Sequence, residues 1–352
     1  MARSLPGGRL LDVVALSPDA DTDEGTSKAA GYGDPLKIRV QDRNGAVKTL
    51  VFHTAHSDAF GHDRRADRAA EMLLSYDRFP LIPRHAPALD VGAIRKDGTG
   101  LISLADAGEF YLVTAYAEGH VYADELRRIA HTRTLTDLDR KHTDALAQHL
   151  VVVHSEKYRE TSRYVRHVRD VVGSGEGVFG ILDGYPEDVP AAPRRRLQAI
   201  EQRCVSWRHA LRGREARLSR IHGDYHPFNL VFDDASELTL LDASRGCMGE
   251  PADDVTCLAV NYVFFAIEAP AAWRPAFREL WYRFWQSYLD LTRDQELLEV
   301  AAPFFAWRGL VVCNPVWYPA VGAAERERML TLIEKVLDAP AFEPSLADEA
   351  FS

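Results

Sequence analysis

Between Arg220 and Arg245 the sequence reads RIHGDYHPFNLVFDDASELTLLDASR, a stretch in which carboxylates, imidazoles and an amide stand close together around two short apolar runs. Asp224 follows a glycine, Asn229 directly precedes the run Leu230 to Phe232, and Asp242 closes the run Leu238 to Leu241. Two strands joined by a polar turn would present these three oxygen-bearing side chains at the ends of one ribbon. Phosphoryl transfer needs few protein groups: a carboxylate to orient and deprotonate the attacking hydroxyl, and hard oxygen ligands for the magnesium that bridges the phosphates. Asp224 has the chemistry for the first task, and Asn229 and Asp242 for the second. Plainer readings stand beside these. Asp224 can be a turn former, Asn229 a turn cap, Asp242 a surface charge and His226 a packed loop histidine. A different chemistry is also open, because His222, Asp224 and His226 alternate and His53, His56, Asp58 and His62 cluster, a pattern that would suit a metal-dependent hydrolase.

The elements around this island must hold it in place. Strand-like runs at Leu36 to Gln41 and Val47 to Thr54 flank the turn signal Asp42-Arg43-Asn44-Gly45, which predicts a hairpin. Asp63 to Tyr76 has helical patterning, and Ile102 to Leu104 and Phe110 to Tyr116 read as further strands before Glu118 and Gly119 break the pattern. Beyond Gly119 the character changes to amphipathic helices, expected near 139–171, 194–212, 255–267, 272–291, 296–312 and 324–337. The glycine-rich stretch that starts at Gly173 and runs on to Pro186 is either a plain connector or a mobile lid. The expected fold is α+β, with a small sheet-rich lobe over 1–116 and a larger, mainly helical lobe over 117–352.

The run His222-Gly223-Asp224-Tyr225-His226-Pro227-Phe228-Asn229 resembles the catalytic loop of the aminoglycoside phosphotransferase and choline kinase superfamily, and Asp242 matches that family's metal-binding aspartate. Gly249 and Asp254, in GEPADDVTCL, and the leucine-bearing helix Leu146 to His154 agree with the same family. The resemblance implies a bilobal protein-kinase-like fold, ATP as phosphoryl donor with GTP open, and Mg2+ held by Asn229 and Asp242. Asp224 would be the base and a small-molecule hydroxyl the acceptor. It further implies that Tyr116 and Ala117 begin the hinge that touches the nucleotide base, that His222 braces the loop, and that Asp254 bonds the loop backbone.

Two features depart from the family. Its small-lobe lysine, which contacts the phosphates and pairs with a helix glutamate, is replaced here by His53, with Glu71 in the glutamate's place. A shorter and only partly charged histidine could be protonated by its surroundings, could be replaced in its task by Lys37 or Arg39, or could leave a weak or silent nucleotide-binding protein. The phosphate-covering loop would be Ala29 to Gly33, with Gly31 and Gly33 as its only glycines. For the acceptor, Ala306 to Pro319 mixes aromatic faces with polar tips. His226, Arg308 and Trp317 are the candidate contacts, unless the aromatics are simply core. Arg308 favours a polar or anionic acceptor over a polycation, which leaves sugars, amino alcohols, antibiotics and other hydroxyl metabolites open.

Bulk properties narrow the classes. The chain has 352 residues, 46% of them hydrophobic, and a formal charge of −10, which argues against a nucleic-acid partner held by counterion release. Four scattered cysteines form no zinc or redox motif. No segment has the roughly 18–20 apolar residues of a membrane span. The run at Met1 to Leu16 is interrupted by Asp12, so a soluble cytoplasmic protein without a membrane partner is expected.

Overall fold

The computed structural model describes residues 9–16, 35–58, 61–243, 245 and 247–352, and the chain divides into two units after Thr114. In the first unit β1 (Arg9–Ala15), β2 (Leu36–Gln41) and β3 (Val47–Phe52) form an antiparallel sheet in the order β1-β2-β3. The expected hairpin joins β2 to β3. The Asp42 carboxylate accepts from the backbone N–H of Asn44 and Ala46, and Gly45 takes a left-handed φ of 82° that closes the turn. Ile38 and Val40 point inward onto Leu36, Leu50 and Phe52, so the alternate residues Lys37 and Arg39 face solvent. Helix α1 (Arg65–Arg78), a 3-10 turn at Phe79–Leu81 and the hairpin of β4 (Gly92–Ile94) and β5 (Leu101–Ser103) complete the regular structure described in this unit. The strand expected at Phe110 to Tyr116 is absent: the segment is irregular and finds no ladder partner among the described residues, and a strand without one leaves its backbone unpaired.

The second unit, from Ala115 to Ser352, is mainly helical. It opens with β6 (His120–Val121) and α2 (Tyr122–Thr132), a helix that the sequence reading missed, followed by α3 (Asp137–His154) and α4 (Thr161–Gly173). One long helix was expected over 139–171. The break falls where Lys157 bridges Ser219 and Tyr158 N–H bonds Leu218 C=O, so the backbone is spent on a neighbouring strand instead of a helical turn. The glycine-rich stretch is a packed connector. It holds the short α5 (Val178–Asp183), whose Val178, Ile181 and Leu182 are buried; the Tyr185 hydroxyl donates to Leu310 C=O at 2.7 Å, and Trp307 Nε1 donates to Glu176 C=O at 2.8 Å.

After α6 (Arg194–Ala210) come four short strands. β7 (Ser219–Arg220) pairs with β10 (Met248–Gly249), while β8 (Leu230–Phe232) lies between β6 and β9 (Leu238–Leu240). Helix α7 (Pro251–Glu268) is the centre of the core, buried at every position from Pro251 to Ile267. After its acidic first turn it is mostly apolar, because other elements cover every face. Around it stand α8 (Arg278–Thr292), α9 (Glu296–Val300), α10 (Ala302–Cys313), α11 (Ala323–Asp338) and the short α12 (Leu346–Glu349). The helix expected at 272–291 starts late, since a wider π turn at Trp273–Phe277 surrounds Pro275, which has no N–H to give. No single helix among the described residues is long and apolar enough to cross a membrane.

One glycine fixes how β6 meets β8. Gly119 has φ 127°, and a Cβ there would lie 2.3 Å from Phe232 O. Gly119→Ala should therefore cost about 2–4 kcal/mol, from backbone strain together with steric displacement of β8. A urea midpoint would register this, and an unchanged midpoint would show that the strand can shift freely.

Candidate active site

The loop from Ile221 to Asn229 joins β7 to β8, and its shape is fixed from below by α7. In the first turn of that helix Asp254, fully buried, accepts the backbone N–H of His222 through Oδ2 and of Gly223 through Oδ1, both at 2.7 Å. His154 Nε2 lies 3.2 Å from Asp254 Oδ2, and its Nδ1 is 2.7 Å from the Tyr288 hydroxyl. Burial pushes the Asp254 carboxyl up, but the His154 hydrogen bond and charge and the two backbone donors outweigh it, so its pKa falls below the ordinary value. Gly223 supplies a φ of 85°, and His222 Nδ1 accepts the N–H of Asp224 at 3.2 Å. These contacts are the ones the family resemblance implied for His222 and Asp254.

Asp224 is 9% exposed. Its Oδ1 accepts Nη1 of Arg308 at 2.7 Å, whereas among the described residues Oδ2 has only the longer contacts of His226 Nε2 at 3.5 Å and Arg245 Nε at 3.7 Å. Burial raises its pKa, but the His226 hydrogen bond and the charges of Arg308, His226 and Arg245 overcome this and hold the carboxyl well below the usual range. Arg308 belongs to α10, and its remaining donors go to Asp253 Oδ1 at 2.7 and 3.1 Å and to Gly223 C=O at 2.6 Å. The guanidinium also lies 3.9 Å from the ring centre of Trp307, which Arg245 approaches from 5.2 Å.

Asn229 ends a short turn, Pro227–Asn229, that His226 caps by accepting Phe228 N–H. Its Nδ2 donates to the carbonyl of Asp224 at 3.0 Å, which leaves the amide oxygen without a hydrogen bond among the described residues, and its own carbonyl accepts Leu241 N–H at 2.9 Å. Asp242 is the next residue after that contact, exposed, with φ 50° and no hydrogen bond or ion pair among the described residues. The three side chains singled out in the sequence are thus linked through one loop and one ladder. An amide oxygen and a free carboxylate are the hard donors that magnesium prefers, so the residues present fit that ion.

The other expected positions are placed differently. His53 is exposed, one residue beyond β3, and Glu71 on α1 lies 3.4 Å from His62 Nε2, not against His53; His62 Nδ1 in turn is 2.9 Å from Asp58. Tyr116 and Ala117 sit just past the boundary between the units, Tyr116 exposed. Gly31 and Gly33 lie outside the described residues. Arg308 does not stand as an open substrate wall: it is buried and engaged on two carboxylates, while Trp317 projects from the turn after α10. The sequence reading missed Asp253 and Arg245 as parts of this cluster. The Asp253-Asp254 doublet was its one visible signal, since adjacent carboxylates at a helix start face different partners.

The loop is thus braced by a buried aspartate and carries a second carboxylate, kept ionised, with the Asn229 amide beside it. Residues 103–293, more than half of the chain, match the Phosphotransferase enzyme family (APH), and the protein belongs to that family. Among solved structures, a glucosamine kinase shares 14% identity at a TM-score of 0.44, covering 93% of this chain and 92% of that one. An ethanolamine kinase from Plasmodium vivax shares 14% at 0.36, covering 96% and 83%. An amicoumacin kinase in complex with AMP-PNP, Ca2+ and Ami shares 13% at 0.39, covering 91% and 90%. No curated protein matches the chain by sequence.

Proposed function

We propose that the protein transfers the γ-phosphoryl group of ATP, or of GTP, to a hydroxyl of a small molecule. The observation that carries this is Asp224: buried, ionised, with Oδ1 fixed by Arg308 and Oδ2 left for a ligand. The acceptor oxygen forms a bond to the γ-phosphorus as the bond from that phosphorus to the β–γ bridging oxygen breaks. The hydroxyl proton passes to Asp224 Oδ2, and a nucleoside diphosphate leaves. Because the carboxyl has a low pKa it is a weak base. Its main work is to orient the hydroxyl, with the proton moving late. Asn229 Oδ1 and Asp242 would hold Mg2+, which when bound neutralises phosphate charge.

The test is a screen of sugars, amino alcohols, aminoglycosides and hydroxy acids for acceptor-dependent ADP formation with magnesium present. At least one acceptor should yield ADP and phosphorylated product in equal amounts, and its absence across the set would overturn the reading.

A second reading, a weak or silent nucleotide-binding protein, is favoured by one observation: His53 is unpaired with Glu71, which turns to His62. It predicts magnesium-dependent nucleotide binding with no transfer. His53→Lys tests the premise of this second reading. If position 53 meets the phosphates, a full charge there should tighten ATP binding by about tenfold in calorimetry. An unchanged affinity would shift the role to Lys37 or Arg39. The hydrolase alternative gains nothing, since no group of three or more His, Cys, Asp or Glu among the described residues is placed to hold a metal ion.

A further inference from the structure

A cleft of about 590 Å³ opens in the second unit beside the loop that carries Asp224. Its floor is aromatic: Phe228 from the loop itself, Phe264 and Phe265 of α7, and Tyr318. The Phe228 ring meets that of His226 edge-on at 5.8 Å, and His226 lies 3.5 Å from Asp224 Oδ2. Tyr318 packs edge-on against Phe264 at 5.2 Å, and burial, then the neighbouring Cys257 and Asp224, push its hydroxyl pKa up. The His226 ring thus stands between Phe228 of the floor and Oδ2 of Asp224. The volume suits a small organic ligand, for which pockets run to about 300–1,000 Å³.

The rim has the opposite charge to the chain as a whole. Arg127, His131 and Arg133, from the last turns and the cap of α2, face a single lining carboxylate, Glu268. Arg127 is shared with the exposed Asp124 at 2.6 Å and lies 5.1 Å from the centre of the Phe228 ring. Arg133 and His131 have no ion-pair partner among the described residues. Burial pushes the Glu268 carboxyl up, with Arg127 opposing and Glu325 reinforcing, so its negative charge is the less firmly held. In a protein of net charge −10, two guanidiniums at the mouth of an aromatic cleft repel an amine and attract an acid.

We infer that this cleft is the acceptor subsite and that it takes an alcohol with an apolar body and an anionic end group, the body on the phenylalanines and the anion at Arg133 and Arg127. This rests on the phosphotransferase reading for the hydroxyl, and on the cleft alone for the anion.

The test uses three probes of one shape, 4-(hydroxymethyl)benzoate, 4-(hydroxymethyl)benzamide and 4-(hydroxymethyl)benzylamine, titrated by ligand-observed NMR against the full chain and Arg133→Glu. The benzoate should bind tightest to the unaltered protein. Arg133→Glu, an exposed change that leaves folding intact, should weaken it by about tenfold and improve the amine. Equal binding of all three, no binding of any, or a preference for the amine would overturn the inference. Parallel assays with ATP and magnesium distinguish the two readings. ADP formed with the amine but not the benzoate overturns the anion subsite and leaves the transferase standing. Benzoate binding that responds to Arg133→Glu, with no ADP from any probe, supports the subsite and counts against the transferase.

Discussion

Asp224→Asn should lower turnover by about 10³-fold while ATP affinity stays within about twofold, because a positioned general base contributes roughly 10²–10⁴ to rate. Asparagine keeps the shape of the side chain, and its oxygen still accepts Arg308 Nη1, so the loop should stay in place. What is lost is the charge and the proton-accepting oxygen that faces the open side. Asp242→Asn gives the contrasting result. Asp242 is exposed and without a partner among the described residues, and asparagine tolerates its left-handed backbone, so stability should hold while magnesium-dependent nucleotide binding falls by about tenfold or more. Calorimetry of the nucleotide beside steady-state kinetics separates the two effects. Full turnover in Asp224→Asn would remove that residue from the chemistry.

Local signals explain what the sequence could reveal. The loop from His222 to Asn229 and the ribbon ending at Asp242 are contiguous, so their residue types and spacing already single out three oxygen donors within one short segment. The hairpin at Asp42 to Gly45 is legible for the same reason: a side chain bonds backbone two and four residues on. Contacts made across the fold leave no such trace. Arg308 stands 84 residues after Asp224, in a helix whose aromatics read as either core or wall, and nothing in its neighbours says that it points at a carboxylate. Periodicity also runs on through the break between α3 and α4, since the bridge from Lys157 to Ser219 that ends the first helix is a long-range contact. His53 shows the converse difficulty. A family position can be counted along a strand, but the residue falls just beyond the strand's end, and Glu71 takes its partner from a histidine in the preceding loop.

Arg308→Met should destabilise the protein by about 3–5 kcal/mol, since it strands Asp253, a buried carboxylate whose only other basic neighbour among the described residues is His167 Nε2 at 3.7 Å. The double variant Arg308→Met/Asp253→Asn removes the uncompensated charge and should recover much of that loss, which a denaturant midpoint would measure. Recovery of stability alone would describe any buried ion pair; the link to Asp224 gives a second readout. Asp224 has a depressed pKa in the folded protein, so its charge stabilises the fold above the unfolded value of about 3.9, and that contribution is lost as pH falls toward the folded pKa. Without the guanidinium, burial remains and one of the opposing charges is gone, so the pKa rises. The acid limb of kcat/KM should then move to higher pH in the double variant even where stability has returned. Arg308→Lys keeps a charge but cannot reach Asp224, Asp253 and the Gly223 carbonyl together, so it should restore the pH profile better than the rate. A double variant with the original acid limb would mean that the buried guanidinium ties α10 to α7 and does nothing for the carboxylate beside it.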